Sequence, residues 1–216
     1  MQAELGLRER KKQRTRQLIA ETARQLFVED GFDKVTVADV ARAAEVSEAT
    51  VFNYFRTKED LVFQGMEAFE DELLQALRDR PAGESAAAAF GRFVTQRRGL
   101  LAADDEQTAD RLLGVTRMIA KSPALQIRQR EIFARYTASL AALLAEETGA
   151  APADVAPRVV ATALVGLHAE LIGYVHRRLA EGRVDRAQLV RDVEAEGRRA
   201  LQVLEAGLAG YATKRG

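Results

Sequence analysis

The sequence predicts an all-α protein of about nine helices, in which a small N-terminal three-helix domain with a helix-turn-helix precedes a larger helical domain. Three observations predict it. Only 4 Pro and 15 Gly interrupt 216 residues rich in Ala, Leu, Glu and Arg, which favour helix. Apolar side chains recur at three- and four-residue spacing, and no segment alternates as a strand does. The stretch from Thr36 to Phe55, TVADVARAAEVSEATVFNYF, reads as two short helices joined by a tight turn.

Taken in order, residues 1–7 read as a tail without the apolar run of a secretory signal. A flexible basic arm is expected over residues 1–11, and Arg8, Arg10, Lys11, Lys12, Arg14 and Arg16 stand against the single acid Glu9. A first helix follows, with Ile19, Ala23, Leu26 and Phe27 on its buried face and Gly31 closing it. Thr36 can cap the next helix, with Asp39 reaching back as in a capping box. Val37, Val40, Ala41 and Ala44 give that helix one small apolar face, Val46 plugs the corner, and Ser47 can cap a third helix, Glu48 to Tyr54. Thr57 caps a long helix running to about Arg80 and stopped by Pro81. Five more helices are expected over 84–102, 105–121, 124–148, 153–181 and 186–211.

The third helix is about two turns, roughly 10 Å long, a length suited to the major groove of DNA. Val51 and Phe55 can pack inward, leaving Ala49, Thr50, Asn53 and Tyr54 outside. An Asn amide pairs bidentately with adenine, a Thr methyl meets a thymine methyl, and a Tyr hydroxyl bonds to phosphate. Beside such a unit the basic run reads as an arm on phosphates or in the minor groove, the alternative being a solvated helix end.

These residues resemble the tetracycline-repressor (TetR) family of bacterial regulators. The likeness runs from the first helix, Leu18-Ile19-Ala20 through Leu26-Phe27 and Asp30-Gly31-Phe32, across the helix-turn-helix to Arg56-Thr57-Lys58-Glu59-Asp60-Leu61. It is close over about residues 12–65 and extends to the remainder by helical pattern and length. It implies a DNA-binding domain at 12–56, with its helix-turn-helix at 36–55, and an effector-binding and dimerisation domain at 57–216. Contacts to DNA are expected from Thr36, Ser47, Glu48, Ala49, Thr50, Phe52, Asn53, Tyr54 and Lys58, the lysine on a phosphate. Three positions depart from the family pattern: Glu45 where the turn usually has Gly, Glu48 opening the reading helix, and Phe52 where Tyr is usual.

In the second domain an apolar cavity between helices is the expected small-molecule site, lined by Phe63, Met66, Phe93, Arg97, Met118, Phe133, Tyr136, Leu164 and His168. The plainer reading of each is ordinary core. Arg117 and Glu170 are further polar candidates, and His176 reads as surface. Thr162, Gly166, Ala169 and Gly173 form a small-residue stripe at helical spacing. The resemblance pairs the last two helices with their copies as a dimer interface that also takes in Val193, Ala200, Val203 and Leu204.

Composition bounds the function. Lys plus Arg and Asp plus Glu are 32 each, so any pull on a polyanion is local. Cys is absent and His numbers 2, with no glycine-rich phosphate loop or nucleophile motif. No catalytic residue, metal or cofactor is expected. The most apolar stretch, Val159 to Leu167, is far short of a membrane span, and a cytoplasmic protein is expected. The leading expectation is therefore a homodimeric repressor on a pseudo-palindromic duplex operator, released by a small-molecule effector. The alternatives are a helical interaction module whose DNA-reading surface has decayed, or a small-molecule carrier.

Overall fold

The computed structural model describes residues 6–96, 106–181 and 185–208. Among them are ten helices and no strand. The helices are α1 (Leu7–Asp30), α2 (Val37–Ala43), α3 (Glu48–Tyr54), α4 (Lys58–Val62), α5 (Met66–Arg78), α6 (Ala86–Thr95), α7 (Glu106–Lys121), α8 (Pro123–Thr148), α9 (Ala156–Ala180) and α10 (Arg186–Leu208). They form two units: residues 1–65 with 114–129, and residues 66–113 with 130–216.

In the first unit α1 packs on α2 and α4, and α2 packs on α3. The core is small because the apolar side chains are small: Ile19, Ala20, Ala23, Val40, Ala41 and Val51 are all buried, and Phe27 meets Phe32 edge to face at 5.0 Å. Gly31, at φ 94°, turns the chain between those two rings. From later in the chain, Asp60 pairs with Arg128 at 2.7 Å, and Gly114 leaves room for Val28.

In the second unit α10 packs on α6 and α9, and α5 packs on α6. Gly197 admits Thr95 so closely that a Cβ there would lie 2.6 Å from the threonine methyl. Arg80, 2% exposed, makes a two-pronged pair with Glu147 at 2.8 and 2.6 Å and donates to the Leu77 carbonyl. Its Nε donates to the Glu84 carbonyl, so every nitrogen of the buried guanidinium has an acceptor. By length and composition α9 could cross a membrane, yet Val160, Leu164, Val165, Leu167, Leu171 and Val175 bury it in the unit's core.

Three expected elements change. The single helix expected from Thr57 to Arg80 is two, α4 and α5, broken at Phe63–Gly65, where Gly65 stands at φ 93°. The expected loose arm of residues 1–11 is helical from Leu7 onward. The helix expected over 84–102 stops at Thr95, where Gln96 caps it in extended backbone. The end expected at Tyr211 lies outside the described residues, whereas α7, α8 and α9 begin and end within three residues of expectation.

Candidate nucleic-acid interface and aromatic core

The interface is assembled by caps. The Thr36 hydroxyl accepts from the Asp39 backbone N–H at 3.2 Å, and the Asp39 carboxylate accepts from the Thr36 N–H at 3.0 Å and its hydroxyl at 2.6 Å. Those hydrogen bonds hold the Asp39 pKa below the usual carboxylate value. Ser47 caps α3 by accepting from the Thr50 N–H at 3.0 Å, and its hydroxyl also meets that of Thr50 at 2.8 Å. Between the two helices Glu45 occupies φ 55°, the left-handed conformation that glycine usually supplies. The turn geometry is kept with a glutamate in it.

Those caps aim α3 outward. Val51 and Phe55 are buried, while Glu48, Ala49, Phe52 and Asn53 are exposed and Thr50 and Tyr54 half-buried. Phe52 is 51% exposed, large for an aromatic ring with no structural task on that side. Ser47 and Thr36 are also exposed at the helix starts. Arg56, not among the expected contacts, is exposed directly beyond α3.

Lys58 is placed differently from expectation. Its Nζ lies 4.2 Å from the Phe32 ring centre and 5.7 Å from that of Phe27, inside cation–π range. Burial lowers its pKa, against the opposing pull of Asp33 and Glu59. Arg16 similarly covers Phe55 at 5.4 Å, so a cation flanks each end of the small core.

The second unit holds an aromatic cluster. Phe69 is its hub: His168 stacks on it at 4.8 Å, Phe93 meets it edge-on at 5.3 Å, and Tyr136 stacks at 6.0 Å. Phe133 closes edge-on toward His168 at 6.2 Å, and the Tyr136 hydroxyl donates to the Met66 carbonyl. Burial pushes the His168 pKa down to about 4, so the ring is neutral at ordinary pH. Beside the cluster, Glu70 accepts from Arg135 at 2.8 Å and from Ser139 at 2.6 Å. Of the expected pocket residues, Met66, Phe93, Phe133, Tyr136, Leu164 and His168 fall in this unit, and Phe63 and Met118 are buried in the first. Arg97 lies outside the described residues. Arg117 and Glu170 are exposed, and His176 is half-buried rather than surface, its pKa lowered by that burial. Phe69, not among the expected pocket residues, joins this cluster from the position i+3 to Met66 on one helix.

On α9 and α10, Thr162 and Gly166 are exposed and a Cβ on Gly166 would meet nothing. Ala169, Gly173, Ala200 and Leu204 are half-buried, and Val203 is 73% exposed. Val193 is corrected: it is 2% exposed in a cluster with Val175, Leu179 and Leu189 of its own chain, because that side of α10 faces α9.

A capped helix-turn-helix presenting polar and aromatic side chains, among described residues that form helices and no strand, defines a DNA-binding protein of the helix-turn-helix class. Comparison with known proteins resolves the class. The family model for bacterial regulatory proteins of the tetR family matches residues 19–64, and the model for the MftR C-terminal domain matches residues 84–209. The chain belongs to the TetR family of transcriptional regulators, a family of regulators and not of enzymes. It is similar to the HTH-type transcriptional regulator TcmR of Streptomyces glaucescens, 40% identical over 80 residues, 37% of this chain and 35% of TcmR. That match thus spans about a third of TcmR's length. It is 26% identical over 174 residues to MftR of Mycobacterium tuberculosis, named as a regulator of mycofactocin biosynthesis, covering 77% and 81% of the two chains. FadR of Bacillus subtilis, solved in complex with stearoyl-CoA, shares the fold at TM-score 0.55 and 22% identity, over 88% of this chain and 98% of FadR.

Proposed function

We propose that this regulator is a homodimeric repressor in the cytoplasm, that two copies of α3 read an inverted repeat, and that a small molecule held by the aromatic core releases it. The observation that carries the DNA reading is the exposed ridge of Ala49, Phe52 and Asn53 on a helix fixed at its start by Ser47. Two turns contact few bases, so specificity calls for a second copy about one helical turn of DNA away. Thr162 and Gly166 on α9 and Val203 on α10 offer that copy small or apolar surface that this chain leaves uncovered.

We assign Asn53 to base reading and Thr36, Ser47, Glu48, Thr50, Tyr54, Arg56 and Lys58 to the surrounding phosphate and groove contacts. For Lys58 this requires its ammonium to leave the Phe32 ring on binding. The effector is an amphipathic molecule with an aromatic or long apolar part, matched to Phe69, Phe133 and Tyr136. Release requires that it bind one of two dimer states more tightly than the other.

The test is selection of genomic fragments by the purified protein at two salt concentrations. An enriched inverted repeat, bound less tightly at higher salt, supports the reading. Absence of any enriched sequence overturns it. The first compound to titrate against the selected duplex is stearoyl-CoA, because a regulator of like fold holds it.

A further inference from the structure

α1 begins at Leu7, but from Arg10 onward its first fully buried residue is Ile19. Arg8, Arg10, Lys11, Lys12, Gln13 and Arg14 are all exposed, so more than two turns extend past the small core. At 1.5 Å per residue that overhang is roughly 12 Å. Arg8, Lys12, Arg16 and Ala20 follow one another at i+4, a stripe that drifts by roughly 40° per step, so that Arg16 and Lys12 lie nearest the line of Ala20 and Arg8 at its flank. Ile19, Ala20 and Ala23 make this side the core face. Beyond the core, the continuation of this face carries Arg16, Lys12 and, at its flank, Arg8 against the single acid Glu9, so it is net cationic.

Two features say what belongs beneath. Arg8 and Lys12 have no acidic partner among the described residues, and like charges at i,i+4 destabilise a helix on its own. The stripe also starts from the reading head, since Arg16 covers the ring of Phe55, the residue that closes α3. We propose that the Arg8–Lys12 face of α1 lies along the phosphate backbone flanking the half-site read by α3, as a rigid helical rail. It adds affinity without sequence preference, and it is not a flexible arm in the minor groove. The inference rests on the DNA-reading assignment of α3.

The test is the double variant Arg8→Ala, Lys12→Ala in the full chain. Both positions are exposed and Ala favours helix, so the head keeps its fold; Arg16 is left in place because it packs on Phe55. Binding is followed by fluorescence anisotropy from about 50 to 200 mM salt, on the selected inverted repeat and on a random duplex of equal length. The slope of log affinity against log salt is expected to become shallower by about 2 per protomer on both duplexes. Trimming the duplex by about half a helical turn outside each half-site is expected to weaken the parent protein at least several-fold and to leave the double variant unchanged. Equal slopes and equal response to trimming in the two proteins would overturn the rail while leaving the α3 reading intact. A variant that loses preference between the two duplexes would overturn it too, by showing that these cations read sequence. If the parent protein binds neither duplex, the α3 reading fails and the rail fails with it.

Discussion

At φ 55°, Glu45 holds a conformation that costs an L-residue roughly 1–2 kcal/mol. Glu45→Gly is therefore expected to raise stability by about 0.5–1 kcal/mol after the entropy gained by the unfolded chain is subtracted. A denaturant midpoint that does not move would remove the strain argument. Asn53→Ala is expected to cost about 1–3 kcal/mol of base discrimination, measured by competition between the selected operator and its single-base variants. Lys58→Ala should instead weaken all sequences alike and lower the salt slope by about 1. His168 carries the acid response. Its folded pKa of about 4 lies below the ordinary 6.5, so the unfolded chain binds more protons between those values. Stability is then full above about pH 6.5 and falls on acidification toward pH 4, by up to about 3 kcal/mol. His176 shifts in the same direction. His168→Gln should flatten that fall, as read from thermal midpoints across the range. At this scale the caps were legible in the sequence, because Thr36, Asp39 and Ser47 act on backbone within three residues. The placement of Lys58 was not, because the rings it meets come from α1 and the loop after it.

Among the elements, Gly197→Ala is the sharpest case. Alanine favours helix by about 1 kcal/mol over glycine, but its Cβ would lie 2.6 Å from the Thr95 methyl. Thr95 cannot turn away freely, since its hydroxyl donates to the Gly91 carbonyl at 2.8 Å. A net loss of about 1–2 kcal/mol is expected, and Thr95→Ser in the same chain should restore most of it. The split of α4 from α5 shows why an element boundary can stay hidden. Phe63, Met66 and Phe69 keep helical spacing across the break, so the apolar pattern runs on through a single Gly65. Only the backbone, turning at φ 93°, reveals the interruption. The start of α1 was hidden for the opposite reason: a run of cations without apolar periodicity reads as unstructured, although Arg and Lys favour helix.

On the scale of the whole molecule, one ion pair ties distant parts of the second unit. Glu147→Ala would leave Arg80 buried without its carboxylate and is expected to cost about 3–5 kcal/mol, measured by chemical denaturation of the full chain. The all-α class and the order of helices were legible because both rest on local periodicity and on punctuation by Pro and Gly. The grouping of helices into units was not, because residues 114–129 join a unit whose other members end at Gly65.

That discontinuity has a consequence during synthesis. A ribosome adding about 5–20 residues per second needs roughly 3–13 s to go from Gly65 to Gln129. For most of that interval the head lacks the segment at Gly114 that packs on Val28, and until its end it lacks Arg128, the partner of Asp60. The reading head of this regulator is made first and finished late.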